Sequence, residues 1–357
     1  MSIKSDVLIL DLSIVSHRRL FDKLKSKKVK IVDTIENQFR ELFYIKNPRA
    51  LVNKKEVIFN KKPKTLWVYY PWHNTLVHIL NEKDFYLVKT ARNQNLITKD
   101  EQRVLKKAKI GLAGLNIGNP IALSLVFQGF INFKIADNDI LELSNLNRLA
   151  AGLRLIDLGE NKALLTKRQI LDINPFCKVI CYLDGINEEN IYDFLVKPRI
   201  DIIVEEMDDL LMKIKIRELA RKFRIPVIMV TGNGPNVIID IERYDLNPNI
   251  PLLNGYLKNW VVNKIKTSKD LSFMEKIELA KNFIQSKFLT KKLIDSFGLI
   301  GKELVGIPQI ADVSFLRAGV ANFFIREILL GKRILSGRYL LNLEEFKYSK
   351  FIRIIKL

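Results

Sequence analysis

Between residues 98 and 245 the spacing of apolar positions alternates between a strand pattern and a helix pattern. Short apolar runs are typical of buried strands, whereas apolar residues recurring about every 3.6 positions are typical of helices. Thr98 and Glu101 form a capping box that should start a first helix. The predicted strands are 109–115, 133–139, 178–186, 200–206 and 225–232, and the helices between them are 119–130, 160–174, 188–196 and 212–224. Strands joined by helices of this length need parallel crossovers, so the sequence predicts an α/β fold with a doubly wound, mostly parallel sheet.

Residues 1–90 have a different pattern and are expected to form an added α+β region. The segment 65–80, TLWVYYPWHNTLVHIL, predicts a hairpin that turns at 71–74. Its aromatic and histidine side chains either pack the hairpin together or line part of a substrate pocket. The region as a whole is a candidate for substrate recognition or for covering a dimer interface.

Residues 261–357 are expected to form a C-terminal extension that completes the domain at 91–260. A helical stretch is predicted near 268–305, followed by an amphipathic helix that Gly331 stops. The basic tail at 346–357 is expected to add a final strand.

Composition restricts the partners and the location of the protein. The formal net charge is +20, but the lysines are spread through almost every segment. No zinc-finger, RNA-binding or recognition-helix pattern accompanies them, so we expect solvated basic surfaces and no specific nucleic-acid partner. No apolar run reaches the roughly 18 residues that span a bilayer, and the first residues lack a signal-peptide pattern, so a cytoplasmic protein is expected. Cys177 and Cys181 share one apolar stretch and are expected to be buried, reduced thiols.

The first candidate for chemistry lies where the strand at 109–115 meets its helix. Gly114 and Gly118 would let the backbone approach a phosphate, and a helix N-terminus favours negative charge. A tight turn between strand and helix explains the same glycines. Asp137 ends the next strand, about 20 residues later, where dinucleotide-binding folds use a carboxylate to hold ribose hydroxyls.

A longer string, DNDILELSNLNR at 137–148, resembles the hallmark of the ThiF, MoeB and ubiquitin-activating superfamily. The resemblance continues in chain order and covers about 90–260, plus a helix near 308–332. The further matching strings are ARN at 91–93, GENK at 159–162, IDIIVEEMDD at 200–209, IPVIMVTG at 225–232 and GIPQIADVSFLRAGVANFFIREILLGK at 306–332. The strings at 65–80 and 240–257, with VEEMDD, are also similar to a bacterial ThiF-like subgroup of unestablished substrate.

The resemblance implies a Rossmann-like enzyme that activates a carboxylate with ATP and Mg²⁺ and works as a homodimer. Arg148 and Lys162 would contact the phosphates, Asp208 would hold Mg²⁺, and Arg92 would reach into the ATP site of the partner subunit. The implied nucleotide-binding residues are Gly114, Asn116, Gly118, Asp137, Asp139, Asn145 and Asn147.

Each assignment has a structural alternative. Arg148 and Lys162 could form surface ion pairs with Glu142 or Glu160, and Asp208 could cap the helix that follows it. The same holds for Asp139, which could merely order its loop, and for Arg92, which could be an ordinary surface residue.

Departures from the superfamily pattern separate the functional hypotheses. The glycine loop is one residue shorter than usual, with Asn116 where a further glycine is expected, and no cysteine follows the strand at 225–232. We therefore predict adenylation of a peptide or small-protein carboxyl terminus without a thioester step. The alternative is a non-catalytic nucleotide- or peptide-binding scaffold subunit. A dinucleotide-dependent oxidoreductase ranks last, because it does not explain SNLNR, Lys162 and Asp208 together.

Overall fold

The protein was analysed as a computed structural model that describes residues 6–53, 57, 59, 62–148, 153–268 and 271–348. The chain divides into two compact units. The first unit comprises 1–107, 125–131 and 167–178, and the second comprises 108–124, 132–166 and 179–357. Within the described ranges, no helix is both long and apolar enough to cross a membrane.

The first unit is built on a four-stranded sheet. Its elements before residue 108 are β1 (Leu8–Leu10), α1 (Val15–Ser26), β2 (Lys30–Asp33), α2 (Ile35–Lys46), α3 (Pro48–Val52), β3 (Thr65–Tyr70), β4 (Thr75–Leu80), α4 (Glu82–Lys89) and α5 (Lys99–Lys107). The strand order is β1-β3-β4-β2. Strands β3 and β4 pair antiparallel, which confirms the predicted hairpin. The predicted capping box is also present, because the Glu101 amide donates to Thr98 Oγ1 and the Thr98 amide donates to Glu101 Oε2.

Aromatic packing and hydrogen bonds hold the hairpin. The Trp67 and His78 rings stack with centroids 4.4 Å apart. At the turn, Trp72 Nε1 donates to Asp172 Oδ1 over 3.0 Å, and His73 Nε2 lies 2.9 Å from the other oxygen of the same carboxylate. These side chains therefore have the structural role that the sequence left open.

The second unit is built on a seven-stranded sheet. The elements from residue 109 onward are β5 (Lys109–Ala113), α6 (Leu115–Gln128), β6 (Asn132–Ala136), α7 (Lys162–Ile173), β7 (Lys178–Tyr182), α8 (Ile191–Val196), β8 (Ile202–Glu205), α9 (Leu210–Lys222), β9 (Val227–Asn233), β10 (Asn236–Glu242), α10 (Asn259–Thr267), α11 (Phe273–Ile284), α12 (Lys291–Phe297), α13 (Ala311–Leu329), β11 (Gly337–Leu341) and α14 (Leu343–Tyr348). The strand order is β11-β10-β9-β8-β5-β6-β7.

The sheet is doubly wound, as predicted. Strand β5 pairs in parallel with both β6 and β8, and β8 pairs in parallel with β9. The chain order therefore reverses at β5, and in such sheets ligands bind beyond the carboxyl ends of the strands at this reversal. Strands β10 and β11 are antiparallel additions that the sequence analysis did not predict.

The prediction of a final strand at 346–357 is wrong for its first residues. These residues belong to α14, and the remainder from 349 onward lies outside the described residues. The last strand is β11, which pairs with β10 through Gly337–Leu341. The predicted helix stop is confirmed, because α13 ends at Leu329 and Gly331 has φ +71°.

A fully buried ion network ties β8, α9 and β10 together. Arg217 donates from Nε to Glu242 Oε2 over 2.8 Å, and its Nη1 pairs with Glu205. Although burial alone would raise it, the charges of Lys213 and Arg217 hold the pKa of Glu205 below its ordinary value. Because these groups are shielded from water and satisfied by each other, they serve the core of the fold.

The two cysteines are free thiols, as expected. Cys177 is buried, and Cys181 lies in β7 and is partly exposed. Burial raises the pKa of the Cys177 thiol to about 12, so this residue is inert as a nucleophile.

Candidate functional site

The glycine turn after β5 lies against the end of β8. Gly114 has φ +87°, and a β-carbon there would come within 2.7 Å of the Met207 backbone nitrogen and closer still to the Glu206 carbonyl. Only glycine fits this approach. The turn after β5 is therefore packed directly against the backbone at the end of β8.

The expectation that Gly118 lies in a loop before the helix is wrong. Helix α6 begins at Leu115 rather than Asn119, so Asn116 and Gly118 belong to its first turn. The reason is a cap from a neighbouring strand, because the Leu115 amide donates to Asp137 Oδ2 over 2.5 Å. The amides at the start of a helix have no partner within the helix and need an external acceptor. Asp137 supplies this acceptor at Leu115, before the predicted start at Asn119.

Asp137 follows β6 and is 7% exposed. Its Oδ1 accepts the Asp139 amide over 2.8 Å. Burial raises the pKa of Asp137, while its two backbone amide donors and Lys162 act in the opposite direction. The carboxylate thus fixes the start of α6 and the loop after β6 at the same edge of the sheet.

Lys162 is the first residue of α7 and contacts that loop. Its Nζ lies 3.0 Å from Asp139 Oδ2, and the Lys162 side chain is 6% exposed whereas that of Asp139 is 60% exposed. The Lys162 amide also donates to the Asp139 carbonyl over 2.9 Å. Lys162 thus pairs with Asp139, and its buried side chain does not fit the alternative of a surface ion pair with Glu142 or Glu160.

The SNLNR string forms a 3-10 helix at Leu143–Asn147. Asn145 is buried, and its Oδ1 accepts the Glu142 amide over 3.0 Å, which caps this short helix. Asn147 Nδ2 donates to the Gln309 carbonyl over 3.1 Å. The string thus folds into a rigid support, and its last asparagine contacts the loop before α13.

Arg148 follows this support and is only partly satisfied. Its Nη1 donates to the Ser144 carbonyl and to Asn147 Oδ1, each over 3.0 Å. Its Nε is buried and has no hydrogen-bond partner among the residues that the structure describes. Burial lowers the pKa of the guanidinium, and the nearby carboxylates of Asp208 and Glu142 oppose this effect. A buried donor without an acceptor is costly, so this group is suited to receive an anion.

Two adjacent aspartates after β8 have different surroundings. Asp209 caps α9, because its Oδ1 accepts the amides of Leu211 and Met212 over 2.8 and 3.0 Å. The alternative that Asp208 is the helix cap is therefore wrong. Asp208 is exposed, lines a cavity and interacts electrostatically with Arg148. It remains available for a cation.

Arg317 on α13 is a site residue that the sequence analysis missed. Its Nε donates to the Val230 carbonyl over 2.8 Å, and its Nη2 donates to Glu206 Oε2 over 2.8 Å. Burial raises the pKa of Glu206 to about 7, with Arg317 opposing the shift. Asp208 also interacts electrostatically with Arg317. The available signal was an arginine among apolar residues in the middle of a helix, since buried arginines are rare unless paired.

A cavity of about 180 Å³ adjoins these charges. Its lining includes Asn116 at the start of α6, Asp208, Arg317 and Gln309, together with apolar residues from the C-terminal helices. Asn116 Oδ1 and Gln309 Oε1 are each buried and accept no hydrogen bond from the described part of the chain. Within the described ranges, no three His, Cys, Asp or Glu side chains lie close enough to form a metal cluster.

The remaining predicted residue, Arg92, belongs to the first unit. It lies in a 3-10 turn at Ala91–Asn93 and is exposed. The second unit brings together Gly114, Asp137, Asp139, Lys162, Arg148 and Asp208 at or near the carboxyl ends of β5, β6 and β8.

Fold and site together define a Rossmann-like α/β domain with a helix N-terminus and buried cations at or near the reversal of its sheet. Residues 90–236 match the model of the ThiF family. The resemblance seen in the sequence is thereby confirmed.

Individual relatives extend the comparison. The chain is 34% identical over 275 residues to an uncharacterized protein of Mycobacterium tuberculosis, covering 76% of this chain and 37% of that protein. It is 29% identical over 181 residues to the tRNA threonylcarbamoyladenosine dehydratase of Bacillus subtilis, covering 49% of this chain and 70% of the relative. It is 32% identical over 114 residues to a probable molybdopterin-synthase adenylyltransferase of Porphyra purpurea, covering 32% of this chain and 29% of the relative. The chain thus spans little more than a third of the length of the mycobacterial relative.

Proposed function

We propose that the protein is an ATP-dependent adenylyltransferase that activates a carboxylate. The observation that carries the proposal is the grouping of Arg148, Lys162 and Asp208 around the start of α6 at the reversal of the sheet. In the reaction a carboxylate oxygen attacks the α-phosphorus of ATP, an acyl–phosphate bond forms, the α–β phosphoanhydride bond breaks, and pyrophosphate leaves. Such a step needs positioning and charge neutralisation more than covalent help from the protein.

The residues of the site fit a nucleotide. A phosphate or ribose group would lie beside the start of α6, where a helix N-terminus favours negative charge. Asp137 would hold ribose hydroxyls, and Asn116, Gly118 and Asp139 would lie along the same edge. Asn145 and Asn147 would act by supporting Arg148.

The cations would act on the phosphates. Arg148 has a buried Nε without a partner among the described residues. Lys162 pairs with Asp139, whose exposed carboxylate would be solvated by water if Lys162 turned to a phosphate. Asp208 would hold Mg²⁺, which proteins commonly bind through one or two carboxylates plus substrate phosphates. When bound, the ion would neutralise the developing charge on pyrophosphate.

The acceptor would be the carboxyl terminus of a peptide or small protein in the cytoplasm. A homodimer would bring Arg92 of one subunit to the ATP site of the other. Region 1–90 would then recognise the acceptor or cover the dimer interface. Region 91–260 would bind the nucleotide, and region 261–357 would complete the fold. A non-catalytic scaffold remains the second hypothesis, favoured by the short turn in which Gly114 alone precedes α6.

Exchange of radiolabelled pyrophosphate into ATP tests the proposal, with Mg-ATP and a panel of peptide carboxylates. We expect carboxylate-dependent exchange by the wild-type protein and a loss of at least ~100-fold in Lys162→Ala. Lys222→Ala, on the exposed end of α9, is the matched control and should exchange normally. Equal exchange by Lys162→Ala would show that the phosphate assignment is wrong.

Calorimetry separates the two hypotheses. An adenylyltransferase should bind Mg-ATP with its affinity reduced by Lys162→Ala. If neither ATP nor AMP binds at millimolar concentration, the scaffold hypothesis replaces the enzyme.

A further inference from the structure

The cavity beside Asp208 has two chemically different walls. Its charged lining residues include Arg317, Glu206 and Lys213, and much of the rest of the lining is apolar. The apolar wall comes from β9, α11, the loop before α12, α12 and the start of α13, through Met229, Ala280, Phe283, Ile284, Leu289, Leu293, Phe297 and Val313. A nucleotide needs polar contacts along its phosphates, so this apolar end is available for a different part of the reaction.

Arg317 has a donor left for a ligand. Its Nε and Nη2 are fixed by Val230 and Glu206, whereas its Nη1 makes no hydrogen bond to any residue that the structure describes. A fixed arginine with a free N–H group is suited to bind a carboxylate.

The charge of Arg317 lies close to other charged residues of the site. Arg148 and Asp208 both interact electrostatically with Arg317. A carboxylate at Nη1 would therefore lie near the residues proposed for the phosphates and for Mg²⁺.

The size of the cavity suits one bulky apolar side chain. Its volume is about 180 Å³, and an apolar cavity of roughly 150 Å³ is known to hold a benzene ring. The unpaired oxygens Asn116 Oδ1 and Gln309 Oε1 are hydrogen-bond acceptors among the lining residues. A peptide supplies N–H donors, and each bond would satisfy an oxygen whose burial is otherwise costly.

We propose that this cavity selects acceptors whose last residue is bulky and apolar. The terminal carboxylate binds Arg317 Nη1, and the side chain, of the size of leucine or phenylalanine, packs against Phe283, Leu293 and Phe297. This inference rests on the proposed function, whose acceptor it narrows from any carboxylate to peptides with an apolar carboxyl-terminal residue.

Calorimetry with short peptides tests the inference on the full chain in the presence of Mg²⁺ and a non-hydrolysable ATP analogue. The probes are N-acetyl-Gly-Gly-Phe, N-acetyl-Gly-Gly-Leu, N-acetyl-Gly-Gly-Gly and the amide of the first peptide. We expect the Phe and Leu acids to bind about 10- to 100-fold more tightly than the Gly acid, from burial of one apolar side chain. The amide should bind at least ~10-fold more weakly than its acid, because a hydrogen bond to a charged group is lost.

A cavity-filling variant adds a structural control. Ala280→Phe places a ring in the apolar end and should reduce the preference for Phe over Gly to within about threefold, because no room remains to bury the side chain. Met274→Phe adds a ring to the same helix at a position that is 56% exposed and should keep the preference.

Equal affinities for the Phe and Gly acids, no binding of any probe, or a preference that survives Ala280→Phe would each overturn the inference. If Ala280→Phe does not fold, the wild-type peptide series decides alone. The proposed function fails separately. Preferential binding of the Phe and Leu acids without pyrophosphate exchange would contradict the proposed adenylyltransferase activity but support the peptide pocket. Pyrophosphate exchange without such a preference would support the activity and contradict the pocket.

Discussion

Asp208 and Asp209 are adjacent in the chain, yet their surroundings predict opposite consequences for the same substitution. Asp209 accepts two backbone amides at the start of α9, whereas Asp208 lines the cavity and caps nothing. Asp209→Ala should therefore cost stability with little loss of activity. Asp208→Ala should abolish activity with little loss of stability.

The magnitudes follow from the contacts. Replacing an aspartate helix cap by alanine costs about 1 kcal/mol, within a range of roughly 0.5–2 kcal/mol. Asp208 is exposed, so its removal should change the free energy of unfolding by no more than about 0.5 kcal/mol. Loss of the Mg²⁺ ligand should reduce pyrophosphate exchange at least ~100-fold, because stabilisation of the developing charge is lost.

Urea unfolding at pH 7 and pyrophosphate exchange, measured on both variants, check the pair. The Asp208→Ala loss should diminish at high Mg²⁺ if weaker metal binding is its cause. A variant pattern in which Asp208→Ala is unstable but active, or Asp209→Ala is stable but inactive, would refute the assignment of the two aspartates.

Three further predictions concern stability. Folding raises the pKa of Glu206 from 4.5 to about 7, so its stabilising contribution is full below pH 4.5 and declines by up to about 3 kcal/mol as pH rises through 7; urea unfolding across this range should show that slope in the wild type and lack it in Glu206→Gln. Arg217→Met should cost about 3–5 kcal/mol in urea unfolding, because Glu242 and Glu205 lose a buried partner; a change below about 1 kcal/mol would contradict the network. Gly114→Ala should cost about 1–3 kcal/mol or more, since φ +87° and the approach of Met207 exclude a β-carbon; unchanged thermal stability would contradict this packing.

The parts of the site that the sequence predicted are those encoded in one continuous stretch. Asp137 and Asp139 follow a strand whose apolar run is short and clear, and Lys162 begins the next helix. Because parallel strands end at one edge of the sheet, residues just after them come together without further information.

Residues that depend on long-range contacts escaped the sequence analysis. Arg317 and Glu206 are 111 positions apart in the chain, and no local sequence pattern predicts their contact. The early start of α6 depends on a cap from Asp137, 22 positions away. Strand β11 is defined by its pairing with β10, and the apolar residues of β11 alone form too weak a pattern to predict a strand.

Exposure of the carboxylate partner decides which cations of this protein can serve a ligand. Arg217 lies between two carboxylates that are 0% exposed, so releasing it would strand buried charges and it must remain structural. Lys162 differs, because its partner Asp139 is 60% exposed and stays solvated when the lysine turns to a phosphate. Arg317 needs no such exchange, since Glu206 fixes one side of the guanidinium and leaves the other side free. Lys162 and Arg317 are therefore suited to bind anions in different ways. Lys162 can leave its partner Asp139, whereas Arg317 keeps its partner Glu206 and offers the donor that Glu206 does not use.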